Sequence, residues 1–153
     1  MRRLIAIGLA LVAAGCQPST RSSFSVIRPQ AGSQTIEVRA SPEKVRETLV
    51  SSATKRGSYI IQDDPNMVII ENAMRKANPV LDEEFGPSEV GERVIRVRVR
   101  FSGTRCDTTV VQDLALINDS RTPGERSFRL PGDSNTLRSL QRLKANSEKG
   151  SGC

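Results

Sequence analysis

The sequence predicts an α+β fold: a two-layer sandwich in which an antiparallel sheet of about five strands carries two helices on one face. The predicted element order is β-α-β-β-β-β-α. Several short runs alternate apolar and polar residues, which is typical of half-buried antiparallel strands. Two longer stretches repeat apolar residues every three or four positions behind a capping residue, as amphipathic helices do. Hairpin-connected strands with both helices on one face give a two-layer structure.

The first strand and the first helix follow from local signals. Ile36 and Val38 alternate with polar neighbours, as in a strand with one buried face. Ser41 is a helix-capping residue type and Pro42 suits the first helical position, so a helix begins there. Gly57 can adopt the left-handed conformation that ends the helix. The apolar stripe between these ends consists of Val45, Leu49 and Ala53.

The next two strands form a predicted hairpin. Apolar residues at 59–61 and 67–70 flank a turn at 63–66 that is rich in Asp, Asn and Pro. The periodicity is then lost over 74–91, where an Asn-Pro and a Gly-Pro pair are breakers. We therefore predict a long loop or extended crossing segment there.

A second hairpin and a last helix complete the predicted domain. Residues 92–101 alternate strongly, a turn is expected at 102–104, and Cys106 to Ile117 is a long strand. Residues 118–132 are predicted to be a polar loop. Asp133 opens the last helix, whose apolar residues are Leu137, Leu140 and Leu143.

The most distinct surface feature is a row of three arginines in the second hairpin. Arg96, Arg98 and Arg100 alternate with apolar residues, so the three guanidinium groups share one face of the strand. Without neutralising partners, this arginine row would attract phosphate or carboxylate groups and form a surface for an anionic partner. The alternative is a solvated sheet face that is paired in part with acidic residues on neighbouring strands.

The chain begins with a segment typical of an exported protein. Arg2 and Arg3 precede an apolar run from Leu4 to Ala14, and small residues lead to Cys16. This leader resembles a bacterial lipoprotein signal peptide, which implies that Cys16 receives a diacylglycerol and that the peptide before it is removed. The run is shorter than the roughly 20 apolar residues of a spanning helix. An ordinary cleaved signal peptide and an uncleaved anchor are the alternatives.

These features divide the chain into four parts. Residues 1–15 form the signal peptide, 16–33 the lipidated cysteine and a flexible tether, 34–147 the small α+β domain, and 148–153 a flexible tail. The processed chain would carry 21 basic and 17 acidic residues, a formal charge of +4. Gln17 follows the lipidated cysteine, which by resemblance to the sorting pattern of enteric bacteria implies delivery to the outer membrane, with the domain in the periplasm.

The composition argues against an enzyme. Histidine is absent, and it is the side chain most often used for proton transfer near neutral pH and the commonest metal ligand. Cys106 would have no histidine to activate it, and the acidic residues 82–84 lack the spaced oxygen ligands of a calcium loop. We expect no catalytic residue, no metal and no cofactor. Nucleic acid is not expected as a partner, because the predicted location is the cell envelope and few aromatic residues are present to stack on bases.

Two cysteines remain once Cys16 is assigned to the lipid. In an oxidising envelope compartment, Cys106 and Cys153 are predicted to form a disulfide within the chain. Two free thiols, or a bond between chains through Cys153, are the alternatives.

The order of elements supplies one further resemblance. A strand, the junction Ala40 to Val45, more strands and a closing helix over residues 34–147 are similar to the helix-grip arrangement of lipid-binding domains and of accessory lipoproteins of the outer-membrane β-barrel assembly machinery. This resemblance implies a groove between helix and sheet. We expect a non-enzymatic envelope lipoprotein whose periplasmic domain binds another envelope protein. The alternative is a carrier or binder of a small lipid or anionic ligand in the groove, with the arginine row meeting its head group.

Overall fold

The computed structural model describes residues 27–74 and 78–153, and within them the predicted α+β class is confirmed. The six strands form one antiparallel sheet with three helices packed on it. The elements in chain order are β1 (Gln34–Val38), α1 (Pro42–Lys55), β2 (Tyr59–Asp64), β3 (Met67–Ala73), α2 (Pro79–Phe85), β4 (Glu92–Thr104), β5 (Asp107–Ser120), β6 (Arg126–Leu130) and α3 (Ser134–Glu148). The predicted leader and Cys16 lie outside the described residues.

The long strand β5 organises the sheet. The strand order is β1-β5-β4-β3-β2, and β6 is a further partner of β5. Strand β4 pairs along one edge of β5, while β1 and β6 share the other edge, β1 beside residues 108–112 and β6 beside residues 114–118. The chain segments that adjoin β1 and β6 meet where the Gly132 N–H donates to the Gly32 carbonyl at 2.9 Å.

The core lies between the sheet and the two long helices. Helix α1 lies over β2, β3 and β4, and α3 packs against α1 and β1. Nearly all core residues are aliphatic, and Phe101 is the one aromatic side chain among the buried core residues of the described chain. The principal members are Val38, Val45, Leu49, Ala53, Val68, Val99, Phe101, Val110, Leu140 and Leu143.

The predicted helix ends are confirmed by their capping contacts. The Ser41 hydroxyl accepts the Lys44 N–H at 3.2 Å, and Gly57 follows α1 with a φ of 71°. At the start of α3, the Asp133 carboxylate accepts the Thr136 N–H at 2.8 Å, and the Thr136 hydroxyl accepts the Asp133 N–H at 2.8 Å. Each contact satisfies a backbone donor that a helix start leaves free.

Helix α2 is an addition to the predicted order, and the loop predicted over 74–91 is wrong in its middle. The two supposed breakers are the ends of this helix. The side chain of Asn78 accepts the Leu81 N–H at 3.3 Å, Pro79 occupies the first turn, and Gly86 ends the helix with a φ of 75°. Proline at a helix start and glycine after its end bound a helix instead of preventing one.

Strand β6 is the second addition, and the loop predicted over 118–132 is wrong at its start and at 126–130. Strand β5 continues to Ser120, and β6 pairs beside it, with Phe128 opposite Leu116. The Phe128 ring lies 5.2 Å from the ring of Phe85, the last residue of α2. Phe128 and Leu130 alternate with polar neighbours as the apolar residues of β1 do. The strand was missed because it lies within a long polar stretch.

The turn of the second hairpin lies slightly later than predicted. Gly103 still pairs with Thr108 in the ladder, and the chain reverses at Arg105 and Cys106. A side chain at Gly103 would collide with the Asp107 carbonyl, which explains a glycine inside the strand.

The predicted disulfide between Cys106 and Cys153 is confirmed. Their Cα atoms are 5.5 Å apart, and the bond closes a sequence separation of 47 residues. The Arg39 guanidinium also donates to the Cys153 carbonyl at 3.1 Å. The end of the chain is thereby joined to the turn between β4 and β5.

None of the helices in the described residues is both long and apolar enough to cross a membrane.

Candidate functional site

The predicted arginine row lies on the sheet face that points away from the core. In the register of the sheet, Arg96 is opposite Glu71 of β3 and Ala115 of β5, and Arg98 is opposite Asp113 of β5. Directly opposite residues of an antiparallel pair point to the same face. The arginines therefore face the carboxylates of the neighbouring strands.

Arg96 is paired with two glutamates. Its guanidinium lies 2.6 Å from Glu71, which is fully buried, and 2.7 Å from Glu125 in the loop before β6. The hydrogen bond to Glu125 raises the pKa of Arg96, and the bond to Glu71 adds to this effect against the opposing effect of desolvation. These two ion pairs join β4 to β3 and to the loop before β6.

Arg98 and Arg100 share Asp113, at 2.9 and 3.1 Å. Burial raises the pKa of Asp113, but a hydrogen bond from Ser33, another from Arg98 and the charge of Arg100 outweigh it and hold that pKa below its ordinary value. This carboxylate stays ionised between the two arginines.

The segment before β1 also contacts the arginine row. Arg98 donates to the Gln30 side chain at 3.3 Å, and Arg100 donates to the Arg28 carbonyl at 3.4 Å. The described end of the predicted tether therefore lies against this face. With each of the three guanidinium groups paired internally, the anionic-partner surface stays a prediction that these contacts do not favour.

A groove lies on the opposite face, between the two long helices and the sheet. It has a volume of about 600 Å³. Its walls are Leu49 of α1 and Leu143 of α3, and its floor comes from β3, β4 and β5. The apolar floor residues are Ile70, Ile95, Val97, Val99 and Leu114.

The floor is open because the two helices do not close above it. Ile95 and Val97 belong to the central strand β4, yet both are only partly buried among the described residues. Helix α1 covers β2, β3 and β4, whereas α3 lies against α1 and β1. A strip of apolar sheet surface is left uncovered between them.

The rim of the groove is basic. Lys55 and Arg56 come from the end of α1 and Arg142 from α3, and no acidic residue lines the groove within the described chain. The Arg56 Nε donates to the Ser52 carbonyl at 3.1 Å. Polar side chains at the rim include Ser58, Asn72, Ser139 and Asn146.

The arginine row and the groove, which the sequence analysis combined in one ligand site, lie on opposite faces of the sheet. Val97 of the groove floor alternates with Arg96 and Arg98 along β4, and successive side chains of a strand point to opposite faces. The expectation that the arginine row meets the head group of a groove ligand is therefore wrong. The cations near the groove are those of the helices, which sequence reasoning missed because their position depends on how α1 and α3 pack.

The most strongly shifted carboxyl group lies outside both features. The Asp119 carboxylate accepts the backbone N–H groups of Glu89, Val90 and Gly91 at 2.6, 2.9 and 3.1 Å. These bonds, led by those from Val90 and Gly91, lower the pKa of Asp119 to about 2. The carboxylate holds the loop before β4, which is a structural role.

The acidic residues 82–84 lie in α2, where Asp82 pairs with Arg93 at 2.7 Å. Across residues 27–74 and 78–153, no group of three acidic or thiol side chains is arranged to hold a metal ion.

Comparison with known proteins assigns the chain to no family. No family model matches the chain, and no curated protein matches it. Among solved structures, it is similar to a TBP-like protein from Parabacteroides distasonis, with 10% sequence identity over 82% of this chain and 96% of that chain and a TM-score of 0.38. A likeness at this level carries no argument about function.

Proposed function

We propose that this chain is a non-enzymatic, lipid-anchored protein of the bacterial cell envelope whose domain binds a small lipid-like ligand in the groove between α1, α3 and the sheet. The observation that carries the proposal is the partly exposed apolar floor at Ile95 and Val97, in the central strand of the sheet. An alkyl chain over this floor would remove apolar surface from water, at about 25 cal/mol per Å².

The size and lining of the groove support a small ligand. Its volume of about 600 Å³ falls inside the range of roughly 300–1,000 Å³ that is usual for small-molecule sites. Leucines from both helices face apolar residues of three strands, and the polar lining residues include Gln112 of β5 as well as side chains at the rim. Small-molecule sites commonly combine an apolar lining with a few polar groups that orient the ligand.

The anchoring part of the proposal rests on the leader and on Cys16. Lipidation of Cys16 would hold the domain at the outer membrane, facing the periplasm. The disulfide between Cys106 and Cys153 supports an oxidising compartment, where such bonds persist.

Photolabelling of the full chain in cell membranes tests the ligand. A fatty acid that carries a diazirine on its chain is added, activated by light, and the labelled peptides are identified by mass spectrometry. We expect labels on the peptides that line the groove, from the end of α1, from β4 and from α3. Labelling that is absent there, or equal on all surface peptides, would overturn the proposed ligand.

A pair of matched variants distinguishes binding in the groove from nonspecific labelling of exposed apolar surface. Val97→Phe fills the floor, and we expect it to reduce groove labelling by at least about fivefold. Val80→Phe adds the same ring volume on α2, where Val80 is 69% exposed, and should leave labelling unchanged. Circular dichroism melts of both variants confirm that they are folded.

A second candidate is the envelope-protein partner predicted from the sequence, and the free edge of β2 favours it. Within the described chain, β2 pairs only with β3 and carries the exposed side chains Tyr59 and Ile61. An unpaired edge can accept a strand from another protein. Crosslinking in intact cells should then capture one reproducible protein through β2, and Ile61→Pro should abolish the capture. Recovery of the chain without a partner would count against this candidate.

A further inference from the structure

We propose that the groove selects ligands with an anionic head, a carboxylate or a phosphate, and that Lys55, Arg56 and Arg142 hold this head at the rim. The inference rests on the proposed function, because it assigns the polar end of the same ligand. It adds a chemical class and three recognition residues to an apolar site.

The cations of the groove have no compensating charge beside them among the described residues. Three cationic side chains line the groove, and no carboxylate does so within the described chain. The side chains of Lys55 and Arg142 form no ion pair or hydrogen bond with any other described residue. The arginine row on the other face is different, because Glu71, Asp113 and Glu125 pair with all three of its guanidinium groups. The groove therefore presents cations that are available to a ligand.

These cations lie beside the apolar floor, on both helices. Lys55 and Arg56 lie at the end of α1, and Arg142 lies on α3, so the two helices supply charge from both sides of the opening. Asn146 lies one turn after Arg142 and shares its helix face. An alkyl chain on Ile95 and Val97 would therefore end among basic and amide groups.

The polar neighbours also supply donors. The Ser58 hydroxyl donates to the side-chain oxygen of Asn72 at 2.6 Å, which leaves the amide N–H groups of Asn72 free to donate to a ligand. Carboxylate and phosphate oxygens accept such hydrogen bonds and form charge-assisted bonds with guanidinium and ammonium groups. An uncharged alcohol head would leave the cations without a partner.

Competition in the photolabelling experiment tests the head group. The full chain in phosphatidylcholine nanodiscs is labelled in the presence of dodecanoate, dodecyl phosphate or dodecanol, which carry the same chain and differ in the head. We expect the carboxylate, the phosphate or both to displace the label at about a tenfold lower concentration than the alcohol. The relative strength of the two anions identifies which head the rim prefers.

Substitution of single cations assigns the preference to the rim. Arg142→Gln should lose most of the preference for the anion and bind dodecanol as the original chain does, and Lys55→Gln should act in the same direction. Arg138→Gln removes the same charge from the same helix at a position that does not line the groove, and it should keep the full preference.

The outcomes separate this inference from the proposed function. Groove labelling that all three competitors displace equally would overturn the anionic head while the ligand site stands. A preference that persists in Arg142→Gln and in Lys55→Gln would overturn the assignment to the rim. An absence of groove labelling would overturn the proposed function itself.

Discussion

At the scale of single residues, two buried carboxylates join segments of the domain that are far apart in sequence. Glu71 is fully buried, lies 2.6 Å from Arg96, and accepts a hydrogen bond from the Ser120 hydroxyl at 3.3 Å. Asp119 accepts three successive backbone N–H groups from the loop before β4. A buried carboxylate is stable only when its charge and its hydrogen bonds are satisfied. These two residues show how the structure meets that requirement with partners distant in sequence.

The contact between Glu71 and Arg96 predicts that the substitution Glu71→Gln, although small, lowers the stability of the domain considerably. Glu71→Gln keeps the shape of the side chain but removes the charge that faces Arg96. We expect the free energy of unfolding to fall by about 1.5–3 kcal/mol, because the Arg96 guanidinium loses the more deeply buried of its two carboxylate partners and keeps only Glu125. Urea unfolding followed by circular dichroism measures the change.

The matched control is Glu92→Gln. Glu92 pairs with Arg121 at 2.6 Å, but 55% of its side chain and 44% of that of Arg121 are exposed. Exposed pairs contribute little, so the control should change stability by less than about 1 kcal/mol. Equal effects of the two substitutions would contradict the role given to burial.

At the scale of elements, α3 is the element that closes one side of the groove, and it is held at both ends. Its start carries the reciprocal cap between Asp133 and Thr136. Near its end, the Glu148 carboxylate accepts the Arg39 N–H at 2.9 Å and forms a salt bridge with Lys144 at 2.8 Å. Cys153 then joins the chain end to Cys106. Contacts far apart in sequence thus fix the position of one groove wall.

The disulfide predicts a measurable contribution to stability. A closed loop of 47 residues gives about 4 kcal/mol in the chain-entropy model, and measured values are commonly about 2–4 kcal/mol. We expect the double variant Cys106→Ser, Cys153→Ser to unfold at lower urea concentration by this amount. Hydrogen exchange should also accelerate in the last turn of α3 more than in its first.

Reduction supplies the control for this prediction. Dithiothreitol should lower the stability of the original chain to that of the double variant and leave the double variant unchanged. Unequal final stabilities would show that the serines, and not the missing bond, cause the loss.

Elements with strong local signals could be predicted, and those held by partners could not. Helix α1 has a cap, a proline and an apolar stripe within its own sequence, and β4 alternates over its length. Helix α2 has seven residues, none of them buried, so its two ends were the only signal. Strand β6 alternates at Phe128 and Leu130 but lies within a polar stretch, and its pairing with the far half of β5 is a tertiary contact that the sequence does not show. Short elements obtain their stability from tertiary contacts.

At the scale of the whole molecule, the charge distribution makes stability depend on acid. The pKa values of Asp113, Asp119, Glu125, Asp133 and Glu148 all lie below their ordinary values. A carboxyl group with a lowered pKa binds fewer protons in the folded state than in the unfolded state over the acid range. Its contribution is complete above the ordinary carboxyl pKa and is lost as the pH falls through the folded value.

We therefore expect the free energy of unfolding to be nearly constant between pH 7 and about pH 5 and to fall steadily towards pH 2. The lower limit follows from Asp119, whose pKa is about 2. The absence of histidine removes the side chain that usually titrates near pH 6.5. Urea unfolding at fixed ionic strength over this pH range measures the profile.

Asp119→Asn isolates the contribution of one carboxylate. Asparagine tolerates the positive φ of 54° at this position and retains one acceptor oxygen, but it cannot titrate. The variant should be less stable at pH 7, and its stability should fall less steeply between pH 4 and pH 2. An unchanged slope would contradict the lowered pKa assigned to Asp119.

The sequence by itself determined the fold class, the ends of α1, the start of α3 and the faces of β4, because periodicity and capping residues are local properties. It predicted the pairing of Cys106 with Cys153 but left alternatives open, and the structure decided between them. Only the tertiary structure decided where the charges act. It placed Glu71 and Asp113 against the arginine row and left the cations of α1 and α3 beside an open apolar floor. Those arrangements depend on sheet register and on the distance between two helices, which bring together residues far apart in the chain.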